Sequence, residues 1–281
     1  MRIIKNTSEL KKYISIIEKD NSTGFVPTMG AIHQGHISLI EKCVQNNVHS
    51  ICSLFVNPTQ FNDESDYNKY PQRIEQDIKI IKKTNCKVVF IPTLKEMYPQ
   101  KITSKKYNFG NLDNCLEGNY RPGHFNGVAT IIEKLFHLIK PNNVFFGEKD
   151  FQQCCVIKKI INDKFNNINI IICKTVRDEK GLALSSRNSL LSKKEKEAAY
   201  LIYQNLIDVK KKYLNFSVQE IKNIICEKLN SHELIKVDYV DIRKKNNFEV
   251  VKNIDAESEK IILVAAKVGK IRLIDNITLL K

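Results

Sequence analysis

One stretch, Phe25–Ile40, limits the fold of this chain more than any other: FVPTMGAIHQGHISLI. It opens with apolar residues, turns through Pro-Thr-Met-Gly, passes His33 and His36, and continues with apolar residues at helical spacing. This pattern predicts a buried strand, a tight glycine turn and a helix. A helix that begins near Gly35 points its first N–H groups and its positive dipole end at an anion. Two imidazoles at that position suit a phosphate that undergoes substitution.

The turn differs from the two commonest phosphate-binding loops, since the stretch contains neither GxxxxGK[ST] nor GxGxxG. A His-x-Gly-His sequence after an apolar strand resembles the signature of the nucleotidyltransferase superfamily, which includes adenylate-forming and adenylyl-transferring enzymes. The competing interpretation is a pair of surface histidines in a polar turn. The strand before the turn and the helix after it argue against that interpretation.

Short apolar runs alternate with helical patterns through the first two thirds of the chain. Besides the central stretch, the predicted strands are Val48–Val56, Lys87–Ile91, Asn143–Phe146 and Ile168–Cys173, with Tyr107–Phe109 as a candidate edge strand. The predicted helices are Glu9–Lys19 with Thr7 as its cap, Arg73–Lys83, Val128–Ile139 and Phe151–Lys164. This alternation predicts an α/β fold, a Rossmann-like parallel sheet with crossover helices, in which ligands bind at the carboxyl ends of the strands.

The pattern changes after residue 176. Two charged helices are predicted at Ser192–Lys211 and Ser217–Leu229, followed by strands at Ile235–Ile242, Ile261–Val268 and Ile271–Ile274. We therefore predict two domains: a Rossmann-like domain over residues 1–180 and a smaller α+β C-terminal domain over 181–281.

The amino-acid composition limits the classes of binding partner that we expect for this chain. A formal charge of +14 is compatible with nucleic-acid binding. However, of 45 Lys and Arg only seven are Arg, whereas surfaces that read bases or fork phosphates rely on Arg. We predict no nucleic-acid partner.

There is no apolar run long enough to span a membrane and no signal-peptide pattern, so we expect no membrane association and a cytoplasmic location. Eight cysteines without a CxxC pair predict reduced thiols rather than a zinc site or disulfides.

Five polar motifs fall at predicted strand ends or in loops: PTMGAIHQGH, NPTQF, RPGHFNG, GEKDFQQ and LSSRN. In this order, and with the ending Arg272–Asn276, they resemble the pantoate–β-alanine ligase family over essentially the whole chain. The resemblance implies a ligase of coenzyme A precursor biosynthesis that uses ATP and Mg²⁺. A pantoyl adenylate forms with loss of pyrophosphate, and the amine of β-alanine then displaces AMP. The resemblance also implies a homodimer, with the C-terminal domain acting as a lid.

The adenylation step brings a carboxylate to a phosphate, so the site must supply positive charge and hold the two anions in line. By resemblance, His36 is the catalytic donor to the reacting phosphate, and His33, Lys149 and Arg187 assist it. The resemblance implies ATP contacts at Met29, Gly30, Ala31, Ile32, His33, Gln34, Gly35, His36, Gly147, Glu148, Lys149, Asp150, Val176, Leu184, Ser185, Ser186 and Arg187. It implies that Gln60 and Gln153 bind pantoate, with Gln60 also near β-alanine.

The sequence leaves two questions open: the roles of Arg121 and His124, and the ligands of Mg²⁺. Arg121 and His124 either shape their loop or place a cation for the β-alanine carboxylate or the phosphates. Asp63, Glu64 and Asp66 are oxygen ligands of the kind Mg²⁺ prefers, but the ATP phosphates are the main ligands expected, so we predict no protein ligand for the metal.

Two alternative functions remain. Another nucleotidyltransferase would join AMP to a phosphorylated acceptor, which NPTQF and RPGHFNG argue against. A non-catalytic nucleic-acid-binding protein has only the net charge in its favour, and it would show binding that weakens steeply with salt.

Overall fold

The computed structural model describes residues 1–20 and 22–279, without the side chains of residues 65 and 66. The chain divides into two compact units. The first unit comprises Met1–Glu148 and Gln152–Lys174, and the second comprises Lys149–Phe151 and the residues from Thr175 onward.

A parallel sheet of six strands forms the centre of the first unit. Its strands are β1 (Arg2–Ile4), β2 (Thr23–Thr28), β3 (His49–Leu54), β4 (Val88–Phe90), β5 (Asn143–Gly147) and β6 (Asn169–Cys173). Their order across the sheet is β1-β4-β3-β2-β5-β6, and every pair is parallel. The predicted Rossmann-like architecture is thereby confirmed. β2 lies between β3 and β5, so the carboxyl ends of these three strands meet at one edge.

Helices connect these strands. They are α1 (Thr7–Ile17), α2 (Gln34–Asn46), α3 (Glu64–Lys69), α4 (Ile74–Lys82), α5 (Leu94–Met97), α6 (Glu117–Tyr120), α7 (His124–Ile139) and α8 (Phe151–Lys164). The cap of α1 is Asn6, whose side chain accepts the Glu9 N–H at 2.8 Å, and the prediction of Thr7 was wrong by one residue. α7 begins at His124, four residues earlier than predicted, because Gly123 adopts a left-handed conformation (φ 80°) that lets the helix start directly after it.

The predicted edge strand Tyr107–Phe109 does not form. The N–H of Tyr107 donates to the Asn126 side chain at 2.8 Å, and Phe109 packs into the core. The backbone N–H of Tyr107 therefore bonds a side chain, that of Asn126, and is not available to a neighbouring strand.

The second unit contains a three-stranded antiparallel sheet and two long helices. The elements are α9 (Lys193–Lys210), α10 (Val218–Asn230), β7 (Ile235–Lys244), β8 (Lys260–Val268) and β9 (Ile271–Leu279), with the strands in the order β7-β8-β9. Both helices begin with a capping box, in which a serine and a glutamate three residues later bond each other's backbone N–H. This unit is the smaller α+β part that the sequence predicts.

β9 is longer than predicted. Asp275 and Asn276 pair with Val264 and Leu263 of β8 inside the sheet. The sequence pattern predicted too early an end because Asp275 and Asn276 are polar. A buried polar pair interrupts the apolar pattern of a strand, but the backbone hydrogen bonds of the strand continue through it.

All eight cysteines lie in the described part of the chain and are thiols. Burial raises the pKa of Cys43, Cys52 and Cys86, which makes these thiols poor nucleophiles at neutral pH. Within residues 1–20 and 22–279, no helix combines the length and the apolarity that crossing a membrane requires.

Candidate active site

A turn with left-handed backbone joins β2 to α2. Gly30 has φ 86° and Ala31 has φ 51°, two consecutive residues in the region that disfavours side chains. A buried carboxylate, that of Asp77 on α4, holds this turn: the N–H of Ala31 donates to its Oδ2 at 2.9 Å, and the N–H of Ile32 donates to its Oδ1 at 2.8 Å. Asp77 is 2% exposed. The turn is therefore tied to a helix that lies 45 residues away in sequence.

Opposing effects act on the Asp77 carboxyl. Burial raises its pKa, while the N–H groups of Ile32 and Ala31 and the charge of Arg73 lower it. The net direction is upward. Sequence reasoning missed this residue because nothing in the charged pattern of α4 distinguishes a buried acid from a solvated one.

The two histidines occupy the first turn of α2 and its cap. His33 is the N-cap, and its Nδ1 accepts the Gly35 N–H at 3.1 Å. His36 Nδ1 accepts the His33 N–H at 3.4 Å. The ring centroids are 4.0 Å apart, with an angle of 31° between the planes. Because each Nδ1 accepts a backbone N–H, each ring carries its proton on Nε2, which makes Nε2–H a hydrogen-bond donor. Gln34 and Gly35 complete the turn.

The NPTQF motif follows β3 and reaches the turn that follows β2. Pro58–Gln60 forms one turn of 3-10 helix, and Gln60 is 8% exposed. Gln60 Nε2 lies 2.8 Å from the sulfur of Met29, and Gln60 Oε1 accepts a hydrogen bond from Asn57 Nδ2 at 3.2 Å. The first unit therefore brings Met29, Gln60 and the two histidines to the same edge of the sheet. Asn57 was not among the predicted site residues, although it stands inside a recognised motif.

Arg121 and His124 also join Gln60. His124 Nδ1 lies 2.7 Å from the Gln60 carbonyl oxygen, which can only accept, so the proton is on Nδ1. His124 Nε2 then accepts from Arg121 Nη1 at 3.0 Å, and Arg121 Nη2 donates to the same carbonyl at 3.4 Å. This arrangement requires a neutral His124. Both side chains therefore contact the backbone of Gln60.

The GEKD motif straddles the end of β5. Gly147 is the last residue of the strand, and Glu148–Asp150 forms one turn of 3-10 helix before α8. The Lys149 ammonium lies 3.7 Å from the Asp150 carboxylate. In the second unit, the Lys149 carbonyl accepts a hydrogen bond from Asn276 Nδ2 at 3.0 Å. Gln153, in the first turn of α8, is partly exposed.

The remaining predicted ATP contacts lie together in the second unit. The Leu184 N–H donates to the Val176 carbonyl at 3.0 Å. Ser185 caps the turn that contains Ser186 and Arg187, and its hydroxyl accepts the Arg187 N–H at 3.2 Å. These residues therefore form one continuous surface segment.

Arg177 anchors that segment. Its guanidinium forms two hydrogen bonds to the Asp275 carboxylate, at 2.7 and 2.8 Å, and stacks 3.4 Å from the centroid of Tyr203. It also donates to the Gly181 carbonyl at 3.1 Å. The buried Asp275 carboxylate in β9 thus receives the cation that its charge requires.

Among the described side chains, no group of three or more His, Cys, Asp or Glu is arranged to hold a metal ion. The side chain of Asp66, one of the acids considered from sequence, lies outside the described residues.

The fold and the site define a Rossmann-like α/β protein in which a His-x-Gly-His helix start stands at the carboxyl edge of the central sheet. The family model described as pantoate-beta-alanine ligase matches residues 2–278. This chain belongs to the pantoate–β-alanine ligase family, as the five motifs predicted, and is a ligase of that family.

Individual relatives are similar to this chain over nearly its full length and theirs. Pantothenate synthetase from Flavobacterium psychrophilum is 38% identical, over 99% of this chain and 100% of that protein. The one from Azobacteroides pseudotrichonymphae is 43% identical over the same shares. The crystal structure of pantothenate synthetase from Thermus thermophilus superposes with a TM-score of 0.92 at 34% identity, covering 100% of both chains.

A structure in complex with ligands is also similar. Pantoate-beta-alanine ligase from Francisella tularensis, complexed with beta-gamma ATP and beta-alanine, has a TM-score of 0.83 and 38% identity, over 99% of this chain and 97% of that one.

Proposed function

We propose that this chain condenses pantoate with β-alanine to form pantothenate, a precursor of coenzyme A, at the expense of ATP. The reaction passes through a pantoyl adenylate and releases pyrophosphate and AMP. Family membership supports the overall reaction, and the Francisella relative bound to beta-gamma ATP and beta-alanine supports these two substrates. The observation that carries the proposed chemistry is the pair of Nε2–H donors, on His33 and His36, at the start of α2.

In the first step, a carboxylate oxygen of pantoate attacks the α-phosphorus of ATP, and the bond to pyrophosphate breaks. A carboxylate is already ionised, so this step needs no base. It needs donors that stabilise negative charge on the phosphoryl oxygens and geometry that holds the attack in line. Neutral imidazoles with Nε2–H meet the first requirement without a proton transfer. His36 acts as the main donor, and His33 assists it.

In the second step, the amine of β-alanine attacks the carbonyl carbon of the adenylate. The bond to AMP breaks, and the nitrogen loses a proton as the amide forms. Lys149 and Arg187 are proposed to neutralise phosphate charge as fixed cations. Mg²⁺ enters as part of the substrate, bound by the phosphates of ATP.

Pantoate is proposed to bind at Gln60 and Gln153. Because Gln60 Oε1 is occupied by Asn57, Gln60 presents Nε2 as a donor to a hydroxyl or carboxylate of pantoate. The nucleotide contacts are proposed at residues 29–36, at 147–150, at Val176 and at 184–187.

Three further properties are proposed from the sequence. The Rossmann-like domain, residues 1–180, binds ATP and pantoate, and residues 181–281 act as a lid that keeps water from the adenylate. The enzyme is a homodimer, which sedimentation equilibrium tests directly. Its location is the cytoplasm.

The deciding experiment is pantoate-dependent exchange of labelled pyrophosphate into ATP in the absence of β-alanine. The wild type is compared with His36→Ala and with His137→Ala, which removes an exposed histidine near the end of α7. We expect exchange that requires pantoate, falls by about 100-fold or more in His36→Ala and is unchanged in His137→Ala. A folded wild type that binds ATP without exchange would exclude the stepwise mechanism and favour a different acceptor.

A further inference from the structure

A buried line of hydrogen bonds runs from Tyr98 to the pantoate-binding edge. The Tyr98 hydroxyl donates to Asn57 Oδ1 at 2.6 Å, the shortest bond in the line. Asn57 Nδ2 donates to Gln60 Oε1 at 3.2 Å, and Gln60 Nε2 lies beside the sulfur of Met29. Tyr98 is 5% exposed and follows α5, at a position that sequence reasoning did not select.

The direction of each bond in this line is determined. Asn57 Nδ2 also donates to the Gly127 carbonyl at 3.1 Å, and a carbonyl can only accept. The other end of that amide, Oδ1, therefore faces two hydroxyls, those of Tyr98 and Thr59. Burial raises the pKa of Tyr98, so its hydroxyl keeps the proton that it donates. With Asn57 oriented in this way, Gln60 must turn Oε1 toward Asn57 and Nε2 away from it.

The ring of Tyr98 is itself held in place. Lys134 Nζ lies 3.8 Å from its centroid and donates to the carbonyl of Met97 at 2.6 Å. Lys134 and the bonds of the hydroxyl thus hold Tyr98 at both ends, as a positioning role requires.

We propose that Tyr98 is a positioning residue for pantoate: its hydroxyl, together with the Gly127 carbonyl, holds the Asn57 amide, and Asn57 orients the Gln60 amide so that Nε2–H faces the substrate. This proposal rests on the function proposed above, because it assigns the role of Gln60 to pantoate. Tyr98 itself is proposed to contact neither pantoate nor ATP.

The test compares Tyr98→Phe with Tyr107→Phe. Tyr107 is a partly buried tyrosine of the same unit, and its hydroxyl lies beside Glu133 and Thr130 rather than in the line from Tyr98 to Gln60. Pyrophosphate exchange is measured against pantoate and, separately, against ATP. We expect Tyr98→Phe to raise the KM for pantoate by about fivefold, the effect of one neutral hydrogen bond, and to leave the KM for ATP and kcat nearly unchanged. Tyr107→Phe should change none of the three.

A general loss of packing would change kcat or both KM values, so it is distinguishable from positioning. A wild-type KM for pantoate in Tyr98→Phe would overturn the proposal, and so would an equal rise in Tyr107→Phe. A wild type that fails to exchange at all would instead overturn the proposed function.

A double-mutant cycle provides the second measurement. If Tyr98 acts through Gln60, adding Tyr98→Phe to Gln60→Ala should change kcat/KM for pantoate by less than about twofold, since the group being oriented is gone. A further loss of about fivefold in the double variant would show that Tyr98 acts elsewhere.

Discussion

The Asp77 carboxylate accepts the backbone N–H of Ile32 at 2.8 Å, across 45 residues of sequence. With the second bond, from Ala31, it satisfies two consecutive donors in a turn whose backbone is left-handed at Gly30 and Ala31. A left-handed non-glycine residue costs about 1 kcal/mol or more. The turn therefore depends on a tertiary contact, and this turn leads directly into the cap histidine, His33.

Asp77→Asn should weaken this turn. An amide has one acceptor oxygen, so one of the two N–H groups would face an NH₂ group. We expect a loss of about 2 kcal/mol in the free energy of unfolding, the cost of one unsatisfied buried donor, and a lower rate of pyrophosphate exchange. Urea unfolding measures the first effect. Asp163→Asn, at an exposed pair with Lys159, is the matched control and should cost less than about 0.5 kcal/mol. Equal stability of the two variants would contradict the assigned role of Asp77.

Gly30→Ala should be more damaging than a backbone argument alone predicts. A Cβ at Gly30 would lie 3.0 Å from Asp77 Oδ2, in addition to the strain of φ 86°. Gly110 has φ 65°, but the space that a Cβ would occupy there is open, so Gly110→Ala reports the backbone strain alone. We expect losses of about 2 kcal/mol for Gly30→Ala and about 1 kcal/mol for Gly110→Ala by thermal unfolding. The reverse order would indicate that the carboxylate moves aside without cost.

Glu133 should make stability depend on acid pH. Burial raises the pKa of this carboxyl, but hydrogen bonds from Lys105 and Lys164 outweigh burial and bring it to about 2. A folded-state pKa below the unfolded value contributes stability that is present above the unfolded pKa, near 4.5, and is lost as the pH falls toward 2.

The corresponding variant is Glu133→Gln. It should lower the free energy of unfolding by about 2 kcal/mol at pH 7 and should flatten its decline between pH 4.5 and 2. Urea unfolding across this range checks both effects. A decline as steep as that of the wild type would assign the acid sensitivity to other carboxylates.

Arg177→Lys should destabilise the second unit although it preserves the charge. A lysine cannot form the two parallel bonds to Asp275, nor stack on Tyr203 as a planar group. We expect a loss of about 2–3 kcal/mol and faster amide exchange at Leu184, whose N–H donates to the Val176 carbonyl next to Arg177. Arg2→Lys, at the exposed pair with Glu9, is the control and should cost less than about 0.5 kcal/mol. Comparable effects of the two substitutions would contradict the importance of the buried pair.

Sequence alone determined the elements that depend on local spacing. The α/β alternation, the helix start at the two histidines and the serine caps of the last two helices all follow from residues within one or two turns of each other. The five motifs identified the family for a related reason: each is a short contiguous string, so its chemistry is readable without knowing where the chain folds.

The tertiary structure alone decided which of those residues act on one another. Asp77 reaches Ile32, Tyr98 reaches Asn57 and His124 reaches Gln60 across 45, 41 and 64 residues. Such pairs leave no periodic trace in sequence, because a buried acid or hydroxyl looks the same as a solvated one until its partner is known. The physical reason is that a buried polar group must find a partner, and only the packing of distant elements determines which group that is.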